Sequence, residues 1–203
     1  MMKQLKPACL SLLLLTMLTG VVYPLVVTGL AQVLFPSQAN GSLLTRGDVV
    51  IGSTLIGQPF DDPKYFWSRP SATGPAAYDG AASSGSNLGP LNDALTEAVA
   101  AHVAALRAAD PGNTAPVPID LVTSSASGLD PNISPASARY QAARVARVRG
   151  LTEAAVLALV AAHTDPRQLG VLGEPVVAVL PLNLALDASA QTASALGARH
   201  AVH

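Results

Sequence analysis

The chain has 203 residues, of which 50% are hydrophobic and only 12% are charged. This composition excludes an intrinsically disordered protein, which needs low hydrophobicity and a high net charge. A net charge of −1 gives no electrostatic basis for nucleic-acid binding, and a single cysteine, Cys9, excludes an internal disulfide and a cysteine-ligated zinc site.

The first predicted element is a membrane-spanning helix. From Pro7 to Thr45, 39 consecutive residues carry no formal charge, and the segment 10–33 consists mainly of Leu, Val and Ala. This segment exceeds the roughly 20 residues that cross a bilayer core. Pro24 predicts a kink, which is typical of a helix that packs against partners. Gly20 and Gly29 would allow close approach, although Gly and Pro are also simply common in membrane helices.

The orientation of this helix follows from its basic flank. Lys3 and Lys6 precede the apolar segment, and the next basic residue is Arg46. The positive-inside rule then predicts that residues 1–35 form a cytoplasmic N-terminus and a single membrane span. Residues 36–203 would form one extracytoplasmic domain at a bacterial inner membrane. The alternative is a cleaved signal peptide, but the apolar run exceeds the roughly 7–15 residues of a signal sequence.

The exported segment predicts a mixed α/β (α+β) domain with about three helices and short strands. Helices are expected over 91–107, 134–149 and 152–163, because apolar residues recur at helical spacing and capping residues precede them. The predicted caps are Asn92 or Asp93, Ser134 and Thr152. Alternating or continuous apolar residues predict strands or hairpins over 49–56, 118–124, 176–180 and 182–186.

Between residues 59 and 90 the sequence has no helical or strand periodicity and is rich in Gly, Ser, Pro and Asn. A stretch of this length is usually functional or disordered. Its aromatic residues must be buried somewhere, which argues against disorder. They are Phe60, Tyr65, Phe66 and Trp67.

No complete active site is recognisable in the sequence. It contains neither a phosphate loop nor a nucleophile elbow, and its histidines lack metal-ligand spacing with carboxylates. His163 is expected to end a helix, and His200 with His203 would be a weak metal pair on a frayed tail. The serine-rich loop at 83–89 could hold a phosphate through backbone N–H groups, or it is an ordinary turn. Four arginines predict a solvated or partner-facing helix face, with anion binding as the alternative: Arg139, Arg144, Arg147 and Arg149.

Eight motifs, in order along nearly the whole chain, resemble those of one family. They are Gly52–Phe60, Tyr65–Ala72, Ser86–Pro90, Val117–Thr123, Ser127–Pro135, Arg144–Leu151, Gly173–Pro175 and Leu182–Asp187. The family is KdpC, the C subunit of the Kdp-type potassium-transporting P-type ATPase. Local departures from the family pattern occur at Leu91, Asn132, Val176 and Ala178.

The resemblance implies an accessory, non-catalytic subunit of a high-affinity, ATP-driven potassium uptake complex. Its partners would be a potassium-channel-like subunit, an ATP-hydrolysing P-type subunit and a small single-helix subunit. The family is described as a catalytic chaperone that raises the ATP affinity of the hydrolysing subunit. Since an exported domain cannot contact cytosolic ATP, that effect is expected to be indirect. No firmly bound cofactor and no metal site are expected.

Two sets of residues are candidate sites on this interpretation. The candidate nucleotide-binding set, with ATP associated through the partner subunit, is Ser86, Asn87, Leu88 and Gly89. The candidate partner interface is Phe60, Tyr65, Phe66, Trp67 and Arg69, because desolvated aromatic and Arg contacts dominate interface energetics. The competing interpretations are an independent membrane-anchored exported enzyme, such as a serine hydrolase, and a secreted binding module.

Overall fold

The computed structural model describes the backbone of residues 2–200 and the side chains of residues 4–189. The chain divides into two compact units, residues 1–53 and residues 54–203. The first unit contains the predicted membrane helix and also residues 36–53, which the sequence assigns to the exported domain; the second contains the rest of the predicted α/β domain.

The helix of the first unit is long and apolar enough to cross a membrane, which fits a single-pass membrane protein. It consists of α1 (Met2–Met17), a π-helical turn (Leu18–Val22) and α2 (Tyr23–Leu34). The π turn ends two residues before Pro24, and the N–H of Tyr23 donates to the carbonyl of Leu18, five residues earlier. The break in the α-helical hydrogen-bond pattern therefore lies where the sequence places its proline, which cannot donate.

A short helix and a β-hairpin follow the membrane helix. The helix α3 (Pro36–Ala39) leads into β1 (Leu43–Arg46), which pairs antiparallel with β2 (Val49–Ser53). The turn between the strands has Gly47 at φ +62°, a backbone conformation that glycine adopts without steric cost. The strand predicted from residue 49 is therefore confirmed over Val49–Ser53, but its partner is the preceding strand β1, and residues 54–55 form a turn.

The second unit contains a small antiparallel sheet of strand order β3-β5-β4. Its strands are β3 (Asn132–Ile133), β4 (Thr164–Asp165) and β5 (Val176–Ala178). Its longer helices are α4 (Asp93–Ala109), α5 (Pro135–Arg149), α6 (Glu153–Ala162) and α7 (Val179–His200). The central strand β5 contributes the fully buried Val177, and α5 and α7 contact the same strand. The mixed α/β class predicted for this region is confirmed.

The predicted helix caps are confirmed by their hydrogen bonds. The side chain of Asn92 accepts from the N–H of Ala94, and that of Ser134 accepts from Ser137. Thr152 accepts in the same way from Ala155. Each cap satisfies a backbone donor that the first helical turn leaves free, which is why these residue types mark helix starts.

Two predicted strands are wrong. Residues 119–121 form a 3-10 helix. Its last residue, Leu121, and the following Val122 are both buried, whereas a strand would place them on opposite faces. Residues 182–186 belong to α7, where Leu182 and Leu186 are buried four residues apart, the spacing of one helical face. The alternation of leucines in the sequence concealed that spacing.

The long segment between β2 and α4, which the structure describes throughout, contains no helix or strand. Its irregular character is therefore confirmed. Phe66 from this segment is completely buried and belongs to the same core as Val145 of α5 and Leu186 of α7. An irregular segment thus supplies one of the largest side chains of the domain core.

Candidate functional site

The aromatic segment is held against α5 and α7 by two side-chain amides, which we call the amide clamp. Gln141 of α5 accepts from the N–H of Trp67 at 2.8 Å and donates to its carbonyl at 3.1 Å. Asn183 of α7 accepts from the N–H of Phe66 at 2.9 Å and donates to its carbonyl at 3.0 Å. Both amides are buried, so two consecutive irregular residues receive the pairing that a neighbouring strand would otherwise provide.

Arg144 completes the clamp from the interior. Its guanidinium is almost fully buried, donates to Oε1 of Gln141 at 2.7 Å and to the carbonyl of Pro63, and lies 5.0 Å from the ring of Trp67. Burial lowers the pKa of Arg144 to about 10, so the group stays protonated at neutral pH. The predicted solvated or partner-facing role is therefore wrong for this arginine, because its buried guanidinium donates to the Pro63 carbonyl and to Gln141 within the domain.

Arg149 joins the end of α5 to α7. Its side chain is only 8% exposed and forms an ion pair with Asp187 at 2.9 Å. It also donates to the carbonyl of Lys64 at 2.6 Å, and the hydroxyl of Tyr65 donates to Asp187 at 3.0 Å. The guanidinium lies 4.9 Å from the Tyr65 ring, within cation–π range. These contacts fix the aromatic segment at a second point.

The predicted interface residues are brought together, but mainly by contacts inside the domain. Phe66 is completely buried in the core, which leaves it no surface for a partner. Phe60 and Tyr65 form a tilted ring pair with centroids 5.4 Å apart, and the indole N–H of Trp67 donates to the carbonyl of Asp62. Phe60, Tyr65 and Trp67 keep part of their surface exposed.

Arg69 lies at the centre of a second network, formed by loops. It forms an ion pair with Asp130 at 3.0 Å, and the hydroxyl of Tyr78 donates to the carbonyl of Arg69. The hydroxyl of Ser71 donates to the carbonyl of Gly128 at 2.7 Å. The Nε of Arg69 is buried and has no hydrogen-bond partner among the described residues.

Two glycines of the motifs occupy positions where a side chain would not fit. A Cβ at Gly128 would lie 2.5 Å from the carbonyl oxygen of Ser84, and its φ of +69° is unfavourable for other residues. A Cβ at Gly57 would lie 2.7 Å from the carbonyl oxygen of Asp130. These close backbone approaches connect the loops at 57, 84 and 128.

The candidate nucleotide loop lies apart from the amide clamp. The N–H of Ser84 and the hydroxyl of Ser83 both donate to the carbonyl of Ser127, each at 3.0 Å. Within the candidate set, Asn87 is exposed and has φ +54°, and the carbonyl of Gly89 accepts from the N–H of the Asn92 cap. The loop is thus continuous with the start of α4.

A partly buried capping arrangement orders the start of α5. Asp120 accepts hydrogen bonds from the N–H of Ser134 at 2.7 Å and from the hydroxyl of Ser137 at 2.5 Å. Burial raises the pKa of Asp120, but the hydrogen bonds from Ser137 and Ser134 outweigh it and hold the pKa below its ordinary value. The carboxylate of Asp120 therefore serves to hold the first turn of α5 in place.

The described residues contain no group of three or more potential metal ligands. The Nδ1 of His163 lies 2.8 Å from the carbonyl of Leu159, within the last turn of its own helix. The side chains of His200 and His203 lie outside the described residues. The arrangement as a whole positions an irregular surface segment and offers no assembled catalytic set in the described part of the chain.

The sequence reasoning missed the two clamp amides and two exposed apolar surfaces. Gln141 and Asn183 could have been recognised as polar residues on otherwise apolar helix faces. One apolar surface is the loop 167–174, where a single guanidinium nitrogen of Arg167, Nη2, donates to both carboxylate oxygens of Glu174 at 2.7 and 2.6 Å. At its tip, Leu169 is 91% exposed. The other surface is the hairpin of the first unit.

Comparison with known proteins identifies close relatives along nearly the whole chain. The family model described as "KdpC: K+-transporting ATPase, c chain" matches residues 5–188. A protein of Sorangium cellulosum named potassium-transporting ATPase KdpC subunit is 64% identical over 92% of this chain and 98% of its own length. Proteins of the same name from Methylococcus capsulatus and Methylibium petroleiphilum are 64% and 66% identical, over 93% and 92% of this chain and 99% and 98% of their own lengths.

Proposed function

This chain belongs to the KdpC family, and from that membership we propose that it is the accessory, non-catalytic subunit of a high-affinity, ATP-driven potassium uptake complex. Its proposed partners are a potassium-channel-like subunit, an ATP-hydrolysing P-type subunit and a small single-helix subunit. The function lies in assembly and stabilisation, and the energy for transport comes from the hydrolysing partner.

The observation that carries this proposal is the extent of the match. It begins at residue 5 and ends at residue 188, so that it includes both the apolar helix and the α/β domain. Identity of about two thirds over nearly the full length of the relatives supports a shared architecture and not one shared segment. The sequence also lacks the Asp-Lys-Thr-Gly-Thr motif that P-type ATPases phosphorylate.

We place the N-terminus in the cytoplasm and the α/β domain outside the membrane, on the basis of Lys3 and Lys6. In this orientation the domain lies over the outer face of the potassium-conducting subunit. Any increase in ATP affinity is then a coupling free energy transmitted through the membrane subunits. Direct nucleotide contact is the less favoured form of the proposal, and the exposed loop from Ser86 to Gly89 is its candidate site.

Two surfaces of the domain are proposed to contact the partner subunits. The first is the exposed part of Phe60, Tyr65, Trp67 and Arg69, on the outer side of the amide clamp. The second is the apolar tip of the loop 167–174. Apolar side chains that are exposed in a rigid loop lose little conformational entropy when they are buried by a partner.

Co-purification from native membranes tests the proposal. The tagged full-length chain is solubilised in a mild detergent, and the channel-like and ATP-hydrolysing subunits are expected to be retained with it. Leu169→Asp is expected to reduce retention several-fold, because a buried unpaired carboxylate is costly. Leu91→Asp, at a leucine that is 97% exposed, is the matched control and should have no effect. Absence of both subunits from the unmodified preparation would overturn the assignment.

Two further measurements address the finer parts of the proposal. The KM for ATP of the purified complex should rise when this subunit is omitted, and an unchanged KM would contradict the coupling.

Intact-mass measurement of the native protein should show a retained N-terminus. A loss of about 30 residues would instead support the secreted binding module released by signal cleavage.

A further inference from the structure

Asn40 and Gly41 form the only Asn-Gly pair of the sequence. Asparagine followed by glycine is the pair most open to deamidation, because glycine has no side chain to shield its amide nitrogen or to restrict the backbone. The pair follows α3 and is separated from β1 only by Ser42, so it lies in the connection between the membrane helix and the hairpin. Asn40 is exposed, and water can therefore reach its side chain.

The side chain of Asn40 is held by hydrogen bonds at both polar atoms of its amide group. Its Nδ2 donates to Oε1 of Gln32 in α2 at 3.1 Å and to the carbonyl of Pro36 at 2.7 Å. Its Oδ1 accepts from Nε2 of Gln32 at 3.3 Å. The nitrogen that leaves during deamidation and the oxygen of the carbonyl that is attacked are therefore both engaged in the folded connection.

The attacking atom, the backbone nitrogen of Gly41, is restrained as well. Its N–H donates to the carbonyl of Gln38 at 3.1 Å. The ψ angle of Asn40 is 19°, which turns the nitrogen of Gly41 away from Cβ of Asn40. Ring closure needs both atoms on the same side of the Cα–C bond, so the folded connection keeps the reacting atoms apart until it opens locally.

We propose that Asn40 is a site of spontaneous deamidation that its hydrogen bonds with Gln32 hold in check. In the reaction the nitrogen of Gly41 bonds to Cγ of Asn40, the Cγ–Nδ2 bond breaks, and the proton from Gly41 leaves with the departing ammonia. Water then opens the cyclic imide and leaves aspartate or isoaspartate at position 40. The proposal is independent of the subunit assignment, because every reacting group belongs to this chain or to water.

Deamidation removes the contacts that restrain it. A carboxylate at position 40 has no N–H, so the bonds to Oε1 of Gln32 and to the carbonyl of Pro36 are lost. Only the acceptance from Nε2 of Gln32 at 3.3 Å is left. Isoaspartate, in addition, lengthens the main chain by a methylene group just before β1. The modified chain therefore has a looser connection between the helix end and the hairpin, and the change is one-way.

Ageing of the purified full-length chain in detergent at mildly alkaline pH tests the proposal. Peptide mass mapping follows the conversion at Asn40, and enzymatic methylation detects isoaspartate. Gln32→Leu should raise the rate constant at Asn40 about tenfold, the factor that corresponds to one hydrogen bond of ordinary net strength. Gln38→Leu is the matched control and should leave the rate unchanged, because the described contacts of Asn40 include none with the Gln38 side chain.

Asn92, the cap of α4, is an internal reference in the same samples and should convert far more slowly in every variant. A selective increase at Asn40 in Gln32→Leu identifies the local pair, since a general loss of structure would accelerate Asn92 as well. Parallel acceleration at both asparagines, or equal rates at Asn40 in the two leucine variants, would overturn the protection by Gln32. Absence of conversion at Asn40 in Gln32→Leu would overturn the site itself.

Discussion

The aromatic segment at residues 60–69 and the hairpin at residues 43–53 show opposite combinations of order and burial. The segment forms no helix or strand, although the structure describes it throughout, yet its main chain is bonded to the buried Gln141, Asn183 and Arg144. The hairpin has paired antiparallel strands, with one irregularity in register between Leu44 and Thr45, yet its valines Val49 and Val50 are more than half exposed. Regular secondary structure is therefore no guide to which region belongs to the core and which remains available to a partner.

The largest loss of stability is expected when Arg144 is removed from the amide clamp. Arg144→Ala deletes the charged donor to Gln141 and to the Pro63 carbonyl, and it leaves an empty space where a fully enclosed guanidinium lay. We expect a loss of about 3 kcal/mol in the free energy of unfolding of the domain. Chemical unfolding followed by the fluorescence of Trp67, the only tryptophan, measures this directly. Arg139→Ala, on an exposed position of the same helix, should change stability by less than about 0.5 kcal/mol, and equal losses would contradict a clamp.

A substitution in the loop network around Arg69 should lower the free energy of unfolding slightly less than Arg144→Ala does. Gly128→Ala forces a side chain into a left-handed backbone conformation and against the carbonyl of Ser84. The expected loss is about 2–3 kcal/mol. Gly112→Ala is the control, because a Cβ there has nothing within 4 Å. The thermal unfolding midpoint should fall for Gly128→Ala and stay unchanged for Gly112→Ala. An unchanged midpoint for Gly128→Ala would mean that the loops do not approach each other as described.

The cap of α5 adds a pH-dependent contribution. Asp120→Asn should cost about 1–2 kcal/mol at neutral pH, since the charged acceptor of two serines is lost. The pKa of Asp120 is lower in the folded state than in the unfolded state. Its stabilisation is therefore complete above the unfolded pKa of about 4 and is lost as the pH falls through the folded pKa.

Unfolding free energies measured from pH 7 down to pH 2 check this expectation. The unmodified chain should lose more stability on acidification below about pH 4 than the Asp120→Asn variant does. Asp61→Asn, at an exposed aspartate of the same domain, is the control for the Asp-to-Asn substitution itself. Parallel profiles for the unmodified chain and Asp120→Asn would exclude Asp120 as the source of the acid sensitivity.

The smallest effect is expected in the hairpin. Val50→Ala should change the stability of the isolated chain by less than about 0.5 kcal/mol, because the side chain is already half exposed. Val177→Ala, at a fully buried valine of β5, should cost about 2 kcal/mol. If both valines prove equally costly, the hairpin is part of a core and the contrast with the aromatic segment disappears.

The features that the sequence predicts well are those with local causes. Asn92, Ser134 and Thr152 cap helices through bonds to residues two or three positions away, so their residue types and spacing suffice. The membrane helix follows from an uninterrupted apolar run. The family resemblance, which rested on eight motifs, is confirmed by the match over residues 5–188.

The features that the sequence does not predict depend on distant contacts. Arg144 looks like one of four surface arginines until the chain brings Pro63, 81 residues earlier, to its guanidinium. Asn183 meets Phe66 across 117 residues, and nothing in the local pattern indicates that pairing. The apparent strand at residues 182–186 failed for the same reason, because its helical face is defined by what the leucines pack against.

The π-helical turn in the anchor changes how that helix meets its surroundings. A π turn carries one residue more than an α turn, and one residue of an α-helix corresponds to a rotation of about 100°. Side chains of Met2–Met17 and Tyr23–Leu34 that would form a single stripe on a straight α-helix are therefore out of phase by about that angle. One straight neighbouring helix cannot follow both stripes. The helix thus presents two differently oriented faces, one on each side of the π turn.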